Sequence, residues 1–167
     1  MANRFRMSDL GQLSYYLGIE VKQGSGDIKL GQRAYAEKLV EHAGMGGCKP
    51  SATPMEERLK LSRNSTAEKV DTKLYRSIVG GLRYLTHTRP DIAFAVGYVS
   101  RFMEDPREDH WTALKRLLRY VKGTAEQGIV FPKSGDGEAL QLTVFSDADM
   151  AGDIDGRRST SGVLVFL

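Results

Sequence analysis

The sequence predicts an α+β fold: an N-terminal β-hairpin plus helix, a three-helix bundle, and a C-terminal β-hairpin. Three observations predict it. Apolar residues alternate at every second position near both ends of the 167-residue chain, they recur at three- and four-residue spacing between 71 and 122, and Gly, Pro and Asp gather at the joints.

A short polar turn at Ser8-Asp9-Leu10-Gly11 opens the first unit. Leu17, Ile19 and Val21 alternate with Gly18, Glu20 and Lys22, which is strand spacing. Gly24-Ser25-Gly26-Asp27 tolerates the positive φ of a tight turn, and Ile28 and Leu30 resume the alternation. Tyr35, Leu39 and Val40 then recur at helical spacing within 32–43, until Gly44 and Gly46-Gly47 stop the helix. Residues 49–70 hold Pro50 and Pro54 among Ser, Thr, Asn and mixed charges, the composition of a surface connection between packed units.

Asp71 stands where a carboxylate caps a helix, and Leu74, Ile78, Leu82 and Leu85 share the face that follows. Pro90 ends that helix and suits the first turn of another, whose stripe is Ile92, Ala95, Val96, Val99 and Met103. The third helix begins beyond Pro106, places Trp111, Leu114, Leu117, Leu118 and Val121 on one side, and has Gly123 in place to cap its end. Short joints between three amphipathic helices predict a small bundle. Leu140, Leu142, Val144 and Ser146 alternate again, 152–158 is a polar turn, and 161–167 returns as a strand ending on Val163-Leu164-Val165-Phe166-Leu167. An uncovered apolar edge of this kind invites strand pairing, so the hairpin is expected to be part of an incomplete domain.

Composition narrows the class. With 41% hydrophobic and 27% charged residues, the chain suits a globular protein with one core or two small ones. No apolar run approaches the roughly 20 residues that cross a bilayer, and Met1-Ala2-Asn3-Arg4-Phe5 lacks a signal-peptide layout, so an intracellular protein without a membrane partner is expected. Cys48 is the only cysteine, which rules out an internal disulfide and a cysteine-based zinc site. The charge of +3 and pI near 9.0 tilt toward anionic partners. Distribution says more than the total: Lys and Arg crowd 115–122, while acids gather at 104–109 and 147–155.

Lys115, Arg119 and Lys122 stand at i, i+4 and i+7 with Arg116 beside them, opposite the leucine stripe. That face either meets phosphates or is simply solvated. Tyr84, Tyr98, Trp111 and Tyr120 have rings suited to base stacking, but Trp111 falls on the apolar stripe and reads as core, and none of the four is named as a contact. His42, His87 and His110 are scattered, and His110 beside Asp109 near a helix start reads as structural. Gly80-Gly81 lies inside a helical pattern, where close helix packing accounts for it.

Three local signatures, in this order and spacing, resemble one family. The first is Phe5-Arg6-Met7-Ser8-Asp9-Leu10-Gly11 with Leu17-Gly18-Ile19-Glu20-Val21, Ile28, Leu30, Gln32 and Tyr35. The second is Tyr75-Arg76-Ser77-Ile78-Val79-Gly80-Gly81-Leu82-Arg83-Tyr84-Leu85 with Thr88-Arg89-Pro90-Asp91-Ile92, His110 and Leu118-Arg119-Tyr120-Val121-Lys122-Gly123-Thr124. The third is Ser146-Asp147-Ala148-Asp149-Met150-Ala151-Gly152-Asp153 with Arg158-Ser159-Thr160-Ser161-Gly162. Together they resemble the copia-type retrotransposon polyprotein over nearly the whole chain.

The resemblance implies a layout. Residues 1–48 would be the end of a reverse transcriptase palm with a primer-supporting hairpin, 49–70 a linker, 71–125 a helical thumb-like region, and 138–167 the truncated start of a ribonuclease H-like domain. The family's polymerase carboxylates lie in a Tyr-x-Asp-Asp-type motif upstream of the Phe-x-Met-x-Asp-Leu-Gly string, which this chain lacks. Asp147 matches the first metal-binding carboxylate of the ribonuclease H site. Two Mg²⁺ ions about 3.5–4 Å apart need several such groups, and those of a single hairpin alternate faces rather than converge. No cofactor is therefore expected in this fragment, and Mg²⁺ is implied only for the full-length family. Met150 departs from the aromatic residue usual at its position.

The implied function is that of a noncatalytic fragment of an RNA-directed DNA polymerase and ribonuclease H polyprotein, cytoplasmic or nuclear. It would contribute weak, sequence-independent binding of an RNA–DNA or DNA duplex beside the rest of the polyprotein, with Lys115, Arg116, Arg119 and Lys122 as the contacts. The alternatives are a retroelement-derived remnant serving as an interaction module for a host protein, or a decayed reading frame without function. Purified chain with Mg²⁺ or Mn²⁺ is expected neither to extend a primer nor to cut an RNA–DNA hybrid. Cleavage that Asp147→Asn abolishes would overturn this.

Overall fold

The computed structural model describes residues 11–133 and 141–166, so Ser8, Asp9, Leu10, Leu140 and Leu167 of the expected turn and hairpin lie outside the described residues. Strands β1 (Tyr15–Tyr16), β2 (Ile19–Gln23) and β3 (Asp27–Gly31) lead into helix α1 (Arg33–His42). Helix α2 (Thr72–Leu85), a 3-10 turn at Pro90–Ile92, α3 (Ala93–Ser100) and α4 (Glu108–Gly123) follow, then β4 (Gly128–Pro132), β5 (Thr143–Ala148) and β6 (Ser161–Phe166). The class is mixed, with four α-helices and two antiparallel sheets among the described residues.

The first hairpin forms as the alternation predicts, but it belongs to a four-stranded sheet in the order β1-β2-β3-β4. Strand β4, which the sequence pattern did not reveal, pairs antiparallel with β3, so that Leu30 lies between Val21 and Ile129. Side chains two apart share a face, which puts Val21, Leu30 and Ile129 with Ile28 and Phe131 on one side of the sheet. Leu17 is not part of the alternation. It sits at φ 47 in the turn before β2, next to Gly18 at φ 80, and its carbonyl accepts the Tyr84 hydroxyl.

The helices build one core. Ile78, Leu82, Leu85, Ile92, Val99, Leu114, Leu117, Leu118 and Val121 are essentially inaccessible, as their spacing predicts. Asp71 caps α2 by accepting from Lys73 N at 2.8 Å and Leu74 N at 3.1 Å. Two expectations change. The bundle holds four helices rather than three, because α1 packs on α2 and α4 and adds Ala36, Leu39 and Val40 to the core. A Cβ on Gly81 would stand 2.5 Å from Leu39, so this glycine permits the α1–α2 approach, whereas Gly80 faces open space. Gly123 does not cap α4: it is the last helical residue, Thr124 is the cap, and a Cβ there would meet Pro50 at 2.8 Å.

The joint between α2 and α3 is polar and buried. Arg89, 2% exposed, donates to both carboxylate oxygens of Asp91 at 2.8 and 2.7 Å and to the carbonyl and hydroxyl of Thr124 at 2.8 and 2.7 Å. Its neighbour Thr88 donates to Gln32 Oε1 at 2.9 Å. Burial alone would raise the Asp91 carboxyl, yet the Arg89 fork and the Tyr120 hydroxyl bring it below the usual range.

Strands β5 and β6 pair with each other, and Val144, Phe145, Val163, Leu164, Val165 and Phe166 are at least half exposed. Stability therefore resides in the helices. Leu82→Ala and Leu118→Ala should each cost about 2–5 kcal/mol in urea unfolding, and Leu164→Ala should cost far less. Equal effects from all three would show that the core is misplaced.

Candidate nucleic-acid interface and nuclease carboxylate

The leucine stripe seats α4 and turns Lys115, Arg116, Arg119 and Lys122 outward, as their spacing predicts. The chain from 45 to 67 crosses that face as a strap, and each cation holds a partner within the molecule. Lys115 pairs with Glu108 at 2.9 Å. Arg116 donates to Glu56 at 3.0 Å and to the Thr53 hydroxyl at 2.9 Å. Arg119 Nε donates to the Lys49 carbonyl at 2.7 Å, and Lys122 donates to the Gly46 and Cys48 carbonyls at 2.5 and 2.6 Å. Segment 49–70 is thus strapped to α4, and Leu61 within it is buried. Beneath it lies a groove of about 650 Å³, floored by Met45, Met55, Leu59, Leu61 and Ala113.

A different helix leaves its cations open. Lys73, Arg76, Ser77, Gly80 and Arg83 are exposed along one side of α2, with His87 beyond its end, and no carboxylate occurs between Thr72 and Leu85. Lys73 and Arg83 make no ion pair among the described residues. Arg76 donates to the carbonyls of Met103 at 2.7 Å and Glu104 at 3.3 Å and makes no ion pair among the described residues. Between α2 and α3 runs a groove of about 740 Å³ that Arg83, His87, Val96, Gly97 and Ser100 help to line. The sequence signal for this face was the missing acids, which periodicity does not register.

The rings suited to stacking are engaged elsewhere. Tyr84 meets Tyr35 and His87 edge-on, Trp111 lies beside Tyr75, and Tyr120 donates to Asp91. The Tyr98 hydroxyl accepts from Leu61 N at 3.0 Å and donates to the Leu59 carbonyl at 3.1 Å. His110 is fully buried: Nδ1 accepts from Arg107 N at 3.0 Å, which leaves the proton on Nε2 to reach the Ser62 carbonyl at 3.0 Å. His42 bonds Ser77 at 3.1 Å.

Asp147 lies on β5 opposite Gly162, and its carboxylate accepts its neighbour's amide, Ala148 N, at 2.8 Å. Asp149 accepts from Gly152 N and Thr160 N, and Asp153 from Asp155 N and Gly156 N, so both fasten the turn. Asp155 reaches away to Ser62 and Arg63. The Ser62 hydroxyl and the Arg63 amide hold its carboxyl below the usual range, so the contact is charged at neutral pH and is lost only as pH falls through that lowered value. Among the described residues no three His, Cys, Asp or Glu side chains are placed to hold a metal, and Asp147 alone does not fit a pair of Mg²⁺ ions. Met150 is 97% exposed. No helix among the described residues is long and apolar enough to cross a membrane.

Residues 1–57 match the family described as reverse transcriptase (RNA-dependent DNA polymerase). The whole chain is 44% identical to the retrovirus-related Pol polyprotein from transposon RE2 of Arabidopsis thaliana and 45% identical to that from transposon RE1, and it spans 11% of the length of each. It is also 44% identical to an uncharacterized mitochondrial protein of Arabidopsis thaliana, of which it spans 68%. No solved structure matches.

If the α4 cations hold the strap, Arg119→Gln with Lys122→Gln should speed subtilisin cleavage within residues 46–53 at least about threefold while the core stays folded, since hydrogen bonds from charged donors are the stronger kind. An unchanged rate would mean that Pro50 and the apolar groove hold the strap without them.

Proposed function

The chain belongs to the retrotransposon Pol polyprotein family, and on that footing we propose that it is the stretch connecting the polymerase and ribonuclease H parts of a copia-type polyprotein, noncatalytic alone, whose contribution is to hold a template-primer duplex. The observation that carries this reading is the outer face of α2. It offers three cations, Lys73, Arg76 and Arg83, on a helix without a carboxylate, and the small residues Ser77 and Gly80 between them let a phosphate backbone come close. The cations of α4 are the weaker support, because a phosphate would have to displace Glu56, Glu108 and several carbonyls to reach them.

Contacts of this kind position a duplex without reading its bases. Affinity should then be modest, indifferent to sequence and steeply dependent on salt. Mg²⁺ enters only with the carboxylates of a complete polymerase or nuclease site. A second reading, a short retroelement-derived protein that binds a host partner, draws on the likeness to the uncharacterized mitochondrial protein.

Salt titration of duplex binding separates the two. Each phosphate contact contributes about −0.9 to the slope of log affinity against log salt on B-form DNA, so three cations give a slope near −3. Lys73→Gln with Arg83→Gln should flatten it by about two units, and Lys115→Gln with Arg119→Gln should change it little. A larger loss from the Lys115–Arg119 pair than from the Lys73–Arg83 pair would return the interface to α4. A parent chain without salt-sensitive binding would put the interaction-module reading first.

A further inference from the structure

Strands β5 and β6 pair only with each other among the described residues, yet three hydrogen bonds tie their hairpin to the helical unit. Asp155 accepts from Ser62 Oγ at 2.5 Å and from Arg63 N at 2.7 Å, and the Thr160 hydroxyl accepts from Arg101 at 2.7 Å. Two donors from one turn thus converge on a single carboxylate, and a third contact sits at the base of the loop. Charge-assisted bonds of this type are short and directional.

The receiving surface is fixed from beneath. Leu61 is buried, and the Tyr98 hydroxyl bridges its amide to the Leu59 carbonyl. The Ser62 carbonyl accepts from His110, whose buried ring stacks on Phe102 at 4.0 Å. The Arg101 guanidinium lies over the Tyr98 ring, 5.1 Å from its centre. A turn already held by its neighbours loses little freedom when a ligand arrives, which favours binding without added contact area.

We propose that the Ser62-Arg63 turn and Arg101 form an internal docking site whose ligand is the acidic loop of the β5–β6 hairpin. The site fixes that hairpin, and Asp147 with it, in one orientation against the four-helix unit. Asp155 is a positioning residue in this scheme: it touches no reacting group, and it acts by deciding where Asp147 stands. The inference concerns two parts of one chain and stands whether or not α2 meets a duplex.

Backbone ¹⁵N relaxation and amide exchange on the full chain test it. In the parent, β5 and β6 should tumble with α2 and α4, and the Arg63 amide should be protected. In Asp155→Ala with Thr160→Val, the hairpin should tumble faster than the helices and Arg63 exchange should rise about tenfold or more, as expected for loss of a bond to a charged acceptor. The amides of Leu82 and Leu118 should keep their protection, and the Val144–Val165 pairing should persist. Ser62→Ala with Arg101→Gln, altered on the helical side alone, must uncouple the hairpin as well, which covers the case in which the loop variant unfolds its own hairpin. A parent hairpin that tumbles independently, or a helical-side variant that still tumbles as one body, overturns the proposal.

Discussion

A buried guanidinium presents five N–H donors that burial hides from water, and Arg89 places one at the joint between α2 and α3. It grips Asp91 at the start of the α3 segment and Thr124 just past α4, with the Tyr120 ring beneath it, 5.6 Å from the charge. Thr88, one residue earlier, holds Gln32 at the entry to α1. Strand β3 runs into Gln32, and β4 leaves four residues beyond Thr124. The Thr88-Arg89 pair therefore anchors the roots of both strands, and the β3–β4 pairing follows from where those roots are held. Arg89 is buried while the Asp91 side chain is about one-third exposed, so loss of Asp91 would leave a buried guanidinium without its anionic partner.

The distribution of cations follows a different logic. An amphipathic pattern identifies which side of a helix avoids the core and says nothing about what covers that side. On α4 the polar side receives the strap, and the helix donates from Lys122 to the carbonyls of Gly46 and Cys48 and from Arg119 to that of Lys49. On α2, among the described residues, the polar side receives nothing of the kind along Lys73, Gly80 and Arg83. Two basic helices of similar appearance in sequence thus have opposite standing: one is an internal fastener and the other an open charged face.

What could be read from the sequence was local. Asp71 as a cap, the stripes of α2 to α4, the β2–β3 hairpin and the packing role of Gly81 all depend on residues a few positions apart, where spacing constrains geometry. What could not be read was distant. Gly128-Ile129-Val130-Phe131 has no alternation to mark it as a strand, and its partner β3 lies across the whole helical segment. Segment 49–70 has loop composition because it carries no regular structure, and composition does not record that Leu61 is buried or that Pro50 rests on Gly123. The open face of α2 depends on residues that are absent, and periodicity counts only those that are present.

The acidic run from Asp147 to Asp155 shows why a cluster in sequence need not be a site. A tight turn exposes backbone amides in quick succession, and short carboxylates are the side chains best able to reach back to them. Asp149 and Asp153 are used in this way, and each is drawn into its own turn rather than toward a common centre. Asp155 performs the same chemistry on a turn in another part of the chain, where its carboxylate replaces the water that the Ser62 hydroxyl and Arg63 amide would otherwise bind. Asp147 alone belongs to the body of a strand instead of a turn. A pair of metal ions at Asp147 would need carboxylates brought from other elements, so the orientation in which the hairpin is held bears directly on any chemistry there.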